Sequence, residues 1–232
     1  MPGPTRANQS ANLRRAAVWV LLLCLIVYRV FHLPTAAADR IRASLTTNWP
    51  LWISVAIWAV FSVYWEIAAR NAARDKSGES SSSRGLHVLI VNVALLLLFI
   101  PVPGLNGRYL PATPLLKPLG LAIQTCGVLL AVWSRRHLGR NWSGRVTLKV
   151  DHELVRTGPY RFVRHPIYTA LLAMYAGNAV VSGEWHALLG FVLAALAYWR
   201  KIGIEEANLA GAFGATWDDY RRSTRALVPG LF

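Results

Sequence analysis

Apolar residues in this chain gather into long blocks separated by polar or basic stretches. The blocks are Ala16–Phe31, Trp49–Ala69, Leu86–Val102, Leu119–Ser134, Ile167–Ser182 and Trp185–Ile204. Each approaches the roughly 20 residues that an α-helix needs to cross a hydrocarbon core. The pattern predicts an all-α, polytopic integral membrane protein of about six spans. Trp49, Trp52, Tyr64, Trp65, Trp133, Trp185, Tyr198 and Trp199 stand near block ends, as an aromatic belt at the lipid–water boundary would require. Blocks five and six are joined only by Ser182-Gly183-Glu184, a turn so short that it predicts an antiparallel helical hairpin.

Composition adds to this picture. The 232 residues are 54% hydrophobic and carry a net charge of +14. In so apolar a chain the positive charge marks cytoplasmic loops and meets anionic headgroups, which argues against nucleic acid as a partner. Most of the Lys and Arg fall at the start, after block two, after block four and in the tail. Every second loop is therefore basic, and the pattern predicts that both termini face the cytoplasm. A competing expectation reads the first apolar run and Ala36-Ala37-Ala38 as a cleaved signal peptide. Cys24 and Cys126 lie far apart inside apolar blocks and read as buried small hydrophobes. Asp75–Arg84, rich in Ser, reads as a flexible linker. The longer Arg135–His165 is basic but also holds Trp142, Val146, Leu148 and Tyr160, so it is expected to fold against the membrane surface. Residues 1–134 would thus supply four spans, and 135–232 a catalytic region made of that loop, the hairpin and the tail.

The hairpin places chemistry. Pro166 and Arg200 lie equally far from Gly183 on its two sides, so both sit roughly 25 Å from the tip. That geometry brings Arg164-His165-Pro166-Ile167-Tyr168 near Lys201, Glu205 and Glu206. A helix start beginning at Pro166, with Arg164 beside it, attracts an anion. The two Glu residues can hold an ammonium group, and Tyr160 and Tyr168 offer ring faces to a cation. A bland alternative stands beside this one. Lys201 and Glu205, four apart, form an ordinary surface pair, Arg164 snorkels to headgroups, and His165 is only a cap.

Three motifs then become recognisable together. His152-Glu153-Leu154-Val155-Arg156-Thr157-Gly158-Pro159-Tyr160, Arg164-His165-Pro166-Ile167-Tyr168 and Glu205-Glu206-Ala207-Asn208-Leu209 resemble the isoprenylcysteine carboxyl methyltransferase family, related to the phospholipid N-methyltransferases. Trp217-Asp218-Asp219-Tyr220 and Val228-Pro229 resemble that family's tail. The resemblance covers about residues 135–232. It implies a cytoplasmic pocket for S-adenosylmethionine, lined by His152, Leu154, Val155, Tyr160, His165, Pro166, Ile167 and Tyr168, with Glu205 on the cofactor's amino acid end. Arg164, Lys201 and Glu206 would serve the reaction itself. Lys201 stands where the eukaryotic enzymes have an Arg, and Lys lacks the bidentate fork. Ala170 stands where a Gly often follows the Tyr by two.

The implied reaction is displacement at the cofactor's methyl carbon, with alignment and exclusion of water as the protein's work. A carboxylate acceptor, such as that of an isoprenylated cysteine, needs no base. An amine must lose a proton, for which Glu206 or His165 are candidates. A lipophilic acceptor would enter sideways from the bilayer, and a lipid amine or a small thiol are alternatives. No metal-ligand cluster stands out in the sequence. A sterol-type NADPH reductase and a non-catalytic membrane scaffold are the rival classes, and cofactor binding separates them.

Overall fold

The computed structural model describes residues 49–69, 75–78, 80–139, 147–149 and 154–229. The block Ala16–Phe31, the Ala36–Ala38 site, Cys24 and His152 lie outside the described residues. The chain divides into two units, one ending at Arg70 and one beginning at Asn71.

In the first unit α1 runs Trp49–Ala69. Pro50, Ser54, Trp58 and Phe61 are its buried residues, at the spacing of one helix face. Rings of Trp58, Phe61 and Trp65 follow one another along it, with centroids 6.2 and 5.1 Å apart. Val60, Val63 and Ile67 are exposed, the face an apolar helix turns to lipid.

The second unit holds β1 (Asp75–Gly78), α2 (Ser81–Phe99), α3 (Leu116–Leu138), β2 (Thr147–Lys149), a 3-10 turn (Gly158–Arg161), α4 (Pro166–Ser182), α5 (Trp185–Phe213) and α6 (Ala215–Ser223). The helices α1, α3 and α5, and Ser82–Phe99 of α2, are long and apolar enough to span a membrane. The protein is an integral membrane protein, and among the described residues its all-α character is broken only by the ribbon in which β1 pairs antiparallel with β2. That ribbon corrects the linker expectation for Asp75–Arg84. A Ser-rich run lacks a hydrophobic face, but serine is a good helix cap. The Ser80 hydroxyl accepts from the Ser83 amide and starts α2.

The tightest packing joins α3 to α4. Gly120, Gln124, Gly127, Ala131 and Ser134 form the buried stripe of α3. A Cβ on Gly120 would stand 2.6 Å from the Gly177 carbonyl oxygen, and one on Gly127 2.8 Å from that of Ala170. Small residues let two membrane helices approach backbone to backbone, where dispersion and carbonyl contacts replace the hydrophobic drive that lipid cannot supply. The rising α3 numbers meet falling α4 numbers, so the pair is antiparallel. Ala170 is fully buried in this seam, where Gly127 supplies the space that a glycine at 170 would otherwise give. Likewise α2 packs on α5, with Gly190 against the Ala94 carbonyl. Cys126 lies off the buried stripe and is exposed on α3, which corrects the expectation of burial. An apolar block gives no clue to which of its faces meets protein and which meets lipid.

The hairpin forms as its spacing predicts. Gly183 ends α4 at φ +69, a left-handed conformation that glycine adopts without strain, and donates to Ala179 O. The preceding loop clasps this tip. Tyr109 N donates to Gly183 O at 2.9 Å and Trp185 N to Gly107 O at 3.0 Å. His186, buried at the start of α5, sits with Nδ1 2.6 Å from Leu97 O and Nε2 2.9 Å from Glu184. With its tip tied, the hairpin delivers the two far ends of α4 and α5 to one place.

Candidate active site

At those ends the residues paired by the sequence argument meet. Pro166 opens α4 and His165 precedes it without a side-chain cap bond, which leaves the imidazole to face α5. His165 Nε2 lies 3.1 Å from Glu206 Oε1, and Arg164 Nε donates to the same oxygen at 2.9 Å. The Tyr168 hydroxyl donates to Glu205 Oε2 at 2.7 Å. The ammonium of Lys201 lies over the Tyr168 ring, 5.9 Å from its centre.

The two carboxylates differ in their company. Glu206 is 15% exposed and is held by Arg164 and His165, with Arg221 Nε 3.8 Å from its other oxygen. Glu205 is 33% exposed; His165 Nδ1 approaches it only to 3.9 Å, and Oε1 bonds no described residue. Glu205 is therefore the carboxylate that can take a further cation.

The segment after α6 secures the entry to α4. Arg164 N donates to Arg225 O at 2.8 Å and His165 N to Ala226 O at 3.0 Å. The Thr169 hydroxyl donates to Leu227 O at 2.7 Å. The Arg164 guanidinium donates to Thr224 O, and to Arg221 O at 3.2 Å, and lies over the Trp217 ring. Arg164 is thus engaged on several sides rather than snorkelling to headgroups.

Aromatic rings wall the cluster. His165 and Tyr168 stack at 5.5 Å, Tyr168 and Tyr198 lie 5.3 Å apart, and His87 of α2 meets Tyr198 edge-on at 5.4 Å. By its place near a block end Tyr198 is expected in the lipid belt. It is only 6% exposed, whereas neighbouring Trp199 is 59% exposed and does face outward. The one available signal was spacing, since Tyr198 precedes Lys201 and Glu205 by three and seven positions and shares their helix face.

Among the other expected pocket residues, Tyr160, Pro166 and Ile167 are buried and Leu154 and Val155 partly so. Burial, with the nearby Glu205 carboxylate adding to it, pushes the Tyr160 hydroxyl well above the usual tyrosine range. The Tyr220 hydroxyl donates to Tyr160 O at 2.6 Å. Burial pushes Tyr220 up to about 12, although Arg164 and Arg156 oppose it.

Comparison with known proteins follows the same residues. Residues 116–216 match the phospholipid methyltransferase family. Over 75 residues the chain is 44% identical to methanethiol S-methyltransferase 2 of Bradyrhizobium diazoefficiens, covering 32% of this chain and 27% of that protein. Over 80 residues it is 32% identical to the protein-S-isoprenylcysteine O-methyltransferase of Schizosaccharomyces pombe, covering 34% of each. The chain therefore spans about a third or less of these relatives' lengths. In overall fold it is similar to a solved eukaryotic intramembrane Ras methyltransferase, isoprenylcysteine carboxyl methyltransferase. That match has a TM-score of 0.54 and 18% identity, and covers 98% of this chain and 87% of the other.

Proposed function

We propose that this chain, whose residues 116–216 carry the phospholipid methyltransferase pattern on a membrane fold like that of isoprenylcysteine carboxyl methyltransferase, is an S-adenosylmethionine-dependent methyltransferase acting on a lipophilic acceptor. The observation that carries this reading is the asymmetry of Glu205 and Glu206. One carboxylate is neutralised in place, and the other has an oxygen that bonds no described residue, beside stacked ring faces. Such a set fits a small ligand with an ammonium and a second cationic centre.

In this reading Glu205 holds the cofactor's ammonium, Tyr168 orients that carboxylate, and Tyr160, His165, Pro166 and Ile167 wall the pocket with Leu154 and Val155. When bound, the cofactor supplies an electrophilic methyl on its sulfonium. Lys201 faces the acceptor. Arg164 and Glu206 hold His165 and the helix start in place, because their hydrogen bonds are already committed to one another and to the tail. That makes Glu206 a poor proton acceptor and disfavours an amine substrate. A carboxylate needs no base, so alignment and exclusion of water supply the acceleration.

The preferred acceptor is the carboxylate of an isoprenylated cysteine. A small thiol is the second, favoured by the likeness to methanethiol S-methyltransferase 2. Lys201 would serve either, since a nearby ammonium also favours a thiolate. The basic loops orient both termini and the site to the cytoplasm. The test is transfer of radiolabelled methyl by protein in nanodiscs. A prenylated cysteine should yield a base-labile methyl ester. Label appearing only on a small thiol would move the assignment to the second acceptor. Absence of S-adenosylmethionine binding, with NADPH bound instead, would overturn the reading.

A further inference from the structure

Tyr160 lies in a 3-10 turn, Gly158–Arg161, and its ring is buried. His137, in the last turn of α3, reaches this turn in three ways. Its Nε2 is 2.7 Å from the Thr157 hydroxyl. Its ring stacks on the Tyr160 ring at 6.4 Å and 24°. It also fills the space that Gly158 leaves open. Gly158 has φ +59, and a Cβ there would come within 2.7 Å of the His137 Nδ1 and Cε1. Position 158 needs glycine both for its left-handed backbone and for the imidazole beside it.

We infer that His137 is a positioning residue that acts through Thr157 and Tyr160 to set the turn walling the cofactor pocket. The inference rests on the methyltransferase assignment above. Tyr160 is held on its other side by Tyr220, whose hydroxyl bonds the Tyr160 carbonyl. Tyr160 is thus held at its ring by the end of α3 and at its carbonyl by α6. A turn fixed before binding loses less freedom when the ligand arrives, which favours affinity. The alternative is that His137 only complements the C-terminal dipole of α3, as Arg135 and Arg136 can. In that case another cation would replace it without effect.

The test compares H137A, H137K, H137F and T157V in nanodiscs. Three quantities are read: the calorimetric affinity for S-adenosylmethionine, the acceptor KM with kcat, and thermal unfolding without cofactor. H137A and H137K should each weaken cofactor affinity about tenfold, from loss of one hydrogen bond and one ring contact. Their acceptor KM should stay near that of the wild type. H137F keeps a ring and T157V removes the other end of the hydrogen bond. Each should weaken affinity about threefold, and together no more than either alone. H137K with wild-type affinity would overturn the inference, as would H137F and T157V effects that multiply. So would a loss shared equally by cofactor affinity and acceptor KM and tracking the melting temperature. If H137A or H137K does not fold, H137F and T157V decide alone. Wild-type protein that fails to bind S-adenosylmethionine would overturn the functional assignment itself, a result distinct from intact wild-type binding matched by the variants.

Discussion

The Tyr168 hydroxyl and the Glu205 carboxylate meet at 2.7 Å although they come from opposite arms of one hairpin. The bond fixes the carboxylate's direction and leaves Oε1 without a partner among the described residues. Removing a charged partner from a partly dry site costs about 2–5 kcal/mol, so Glu205→Ala should weaken S-adenosylmethionine binding well over tenfold. Tyr168→Phe removes one hydrogen bond, about 1 kcal/mol, and should weaken it several-fold. Lys201→Ala should leave cofactor affinity nearly intact and raise the acceptor KM or lower turnover. Calorimetry and initial rates on one nanodisc preparation check all three. Equal, near-wild-type values for Glu205→Ala and Lys201→Ala would reduce the pair to a surface contact.

Arg164 joins α4, α5 and the tail, and is 9% exposed. Cutting one partner from a buried ion pair typically costs about 3–5 kcal/mol, because the other charge is left unpaired. Arg164→Ala should therefore lower stability by about that amount. Arg164→Lys should recover part of it, since Lys keeps the charge but cannot reach Glu206 and the Thr224 carbonyl with one fork. Denaturation in mild detergent measures both.

Gly177 meets the Gly120 carbonyl and the backbone of Gln124. Gly177→Ala must push two helices apart and should cost about 1–3 kcal/mol. Gly203→Ala, where a Cβ meets nothing within 4 Å, should be neutral or slightly stabilising. Melting temperatures of the two variants make the comparison.

Tyr220 gives a pH dependence whose sign can be worked out. Its folded value, about 12, lies above the ordinary 10.0. Below pH 10 both folded and unfolded forms hold the proton, and the contribution is fully present. As pH rises from 10 through 12 the unfolded chain ionises first and the contribution is lost. Wild-type stability should hold to about pH 9 and then fall. Tyr220→Phe should be less stable at neutral pH, having lost the bond to the Tyr160 carbonyl, and should fall less steeply above pH 10. Parallel melting curves across that range would contradict the assignment.

Much of this arrangement can be read from the chain because it depends on counting along helices. Equal distances from Gly183 bring Arg164, His165 and Tyr168 level with Lys201, Glu205 and Glu206, and no long-range knowledge is needed. What sequence cannot show is which side of an apolar helix meets protein. For that reason Tyr198 passes for a belt residue and Cys126 for a buried one. The pairing of Asp75–Gly78 with Thr147–Lys149 joins segments that carry no strand pattern of their own. The contact of His137 with the Tyr160 turn likewise arises only when α3 and the 3-10 turn come together.

The length of α5 has a kinetic meaning. Its 29 residues extend about 43 Å, against roughly 30 Å of hydrocarbon, so Glu205 and Glu206 stand near the headgroup layer. An acceptor anchored in the leaflet meets such a site by lateral diffusion in two dimensions. The quantity that sets its rate is surface density, the mole fraction of acceptor in the bilayer, rather than amount per volume. Diluting a prenylated acceptor with inert phospholipid, at constant bulk concentration, should slow methylation in proportion. A water-soluble thiol would be indifferent to that dilution, so the lipid ratio alone separates the two classes of acceptor.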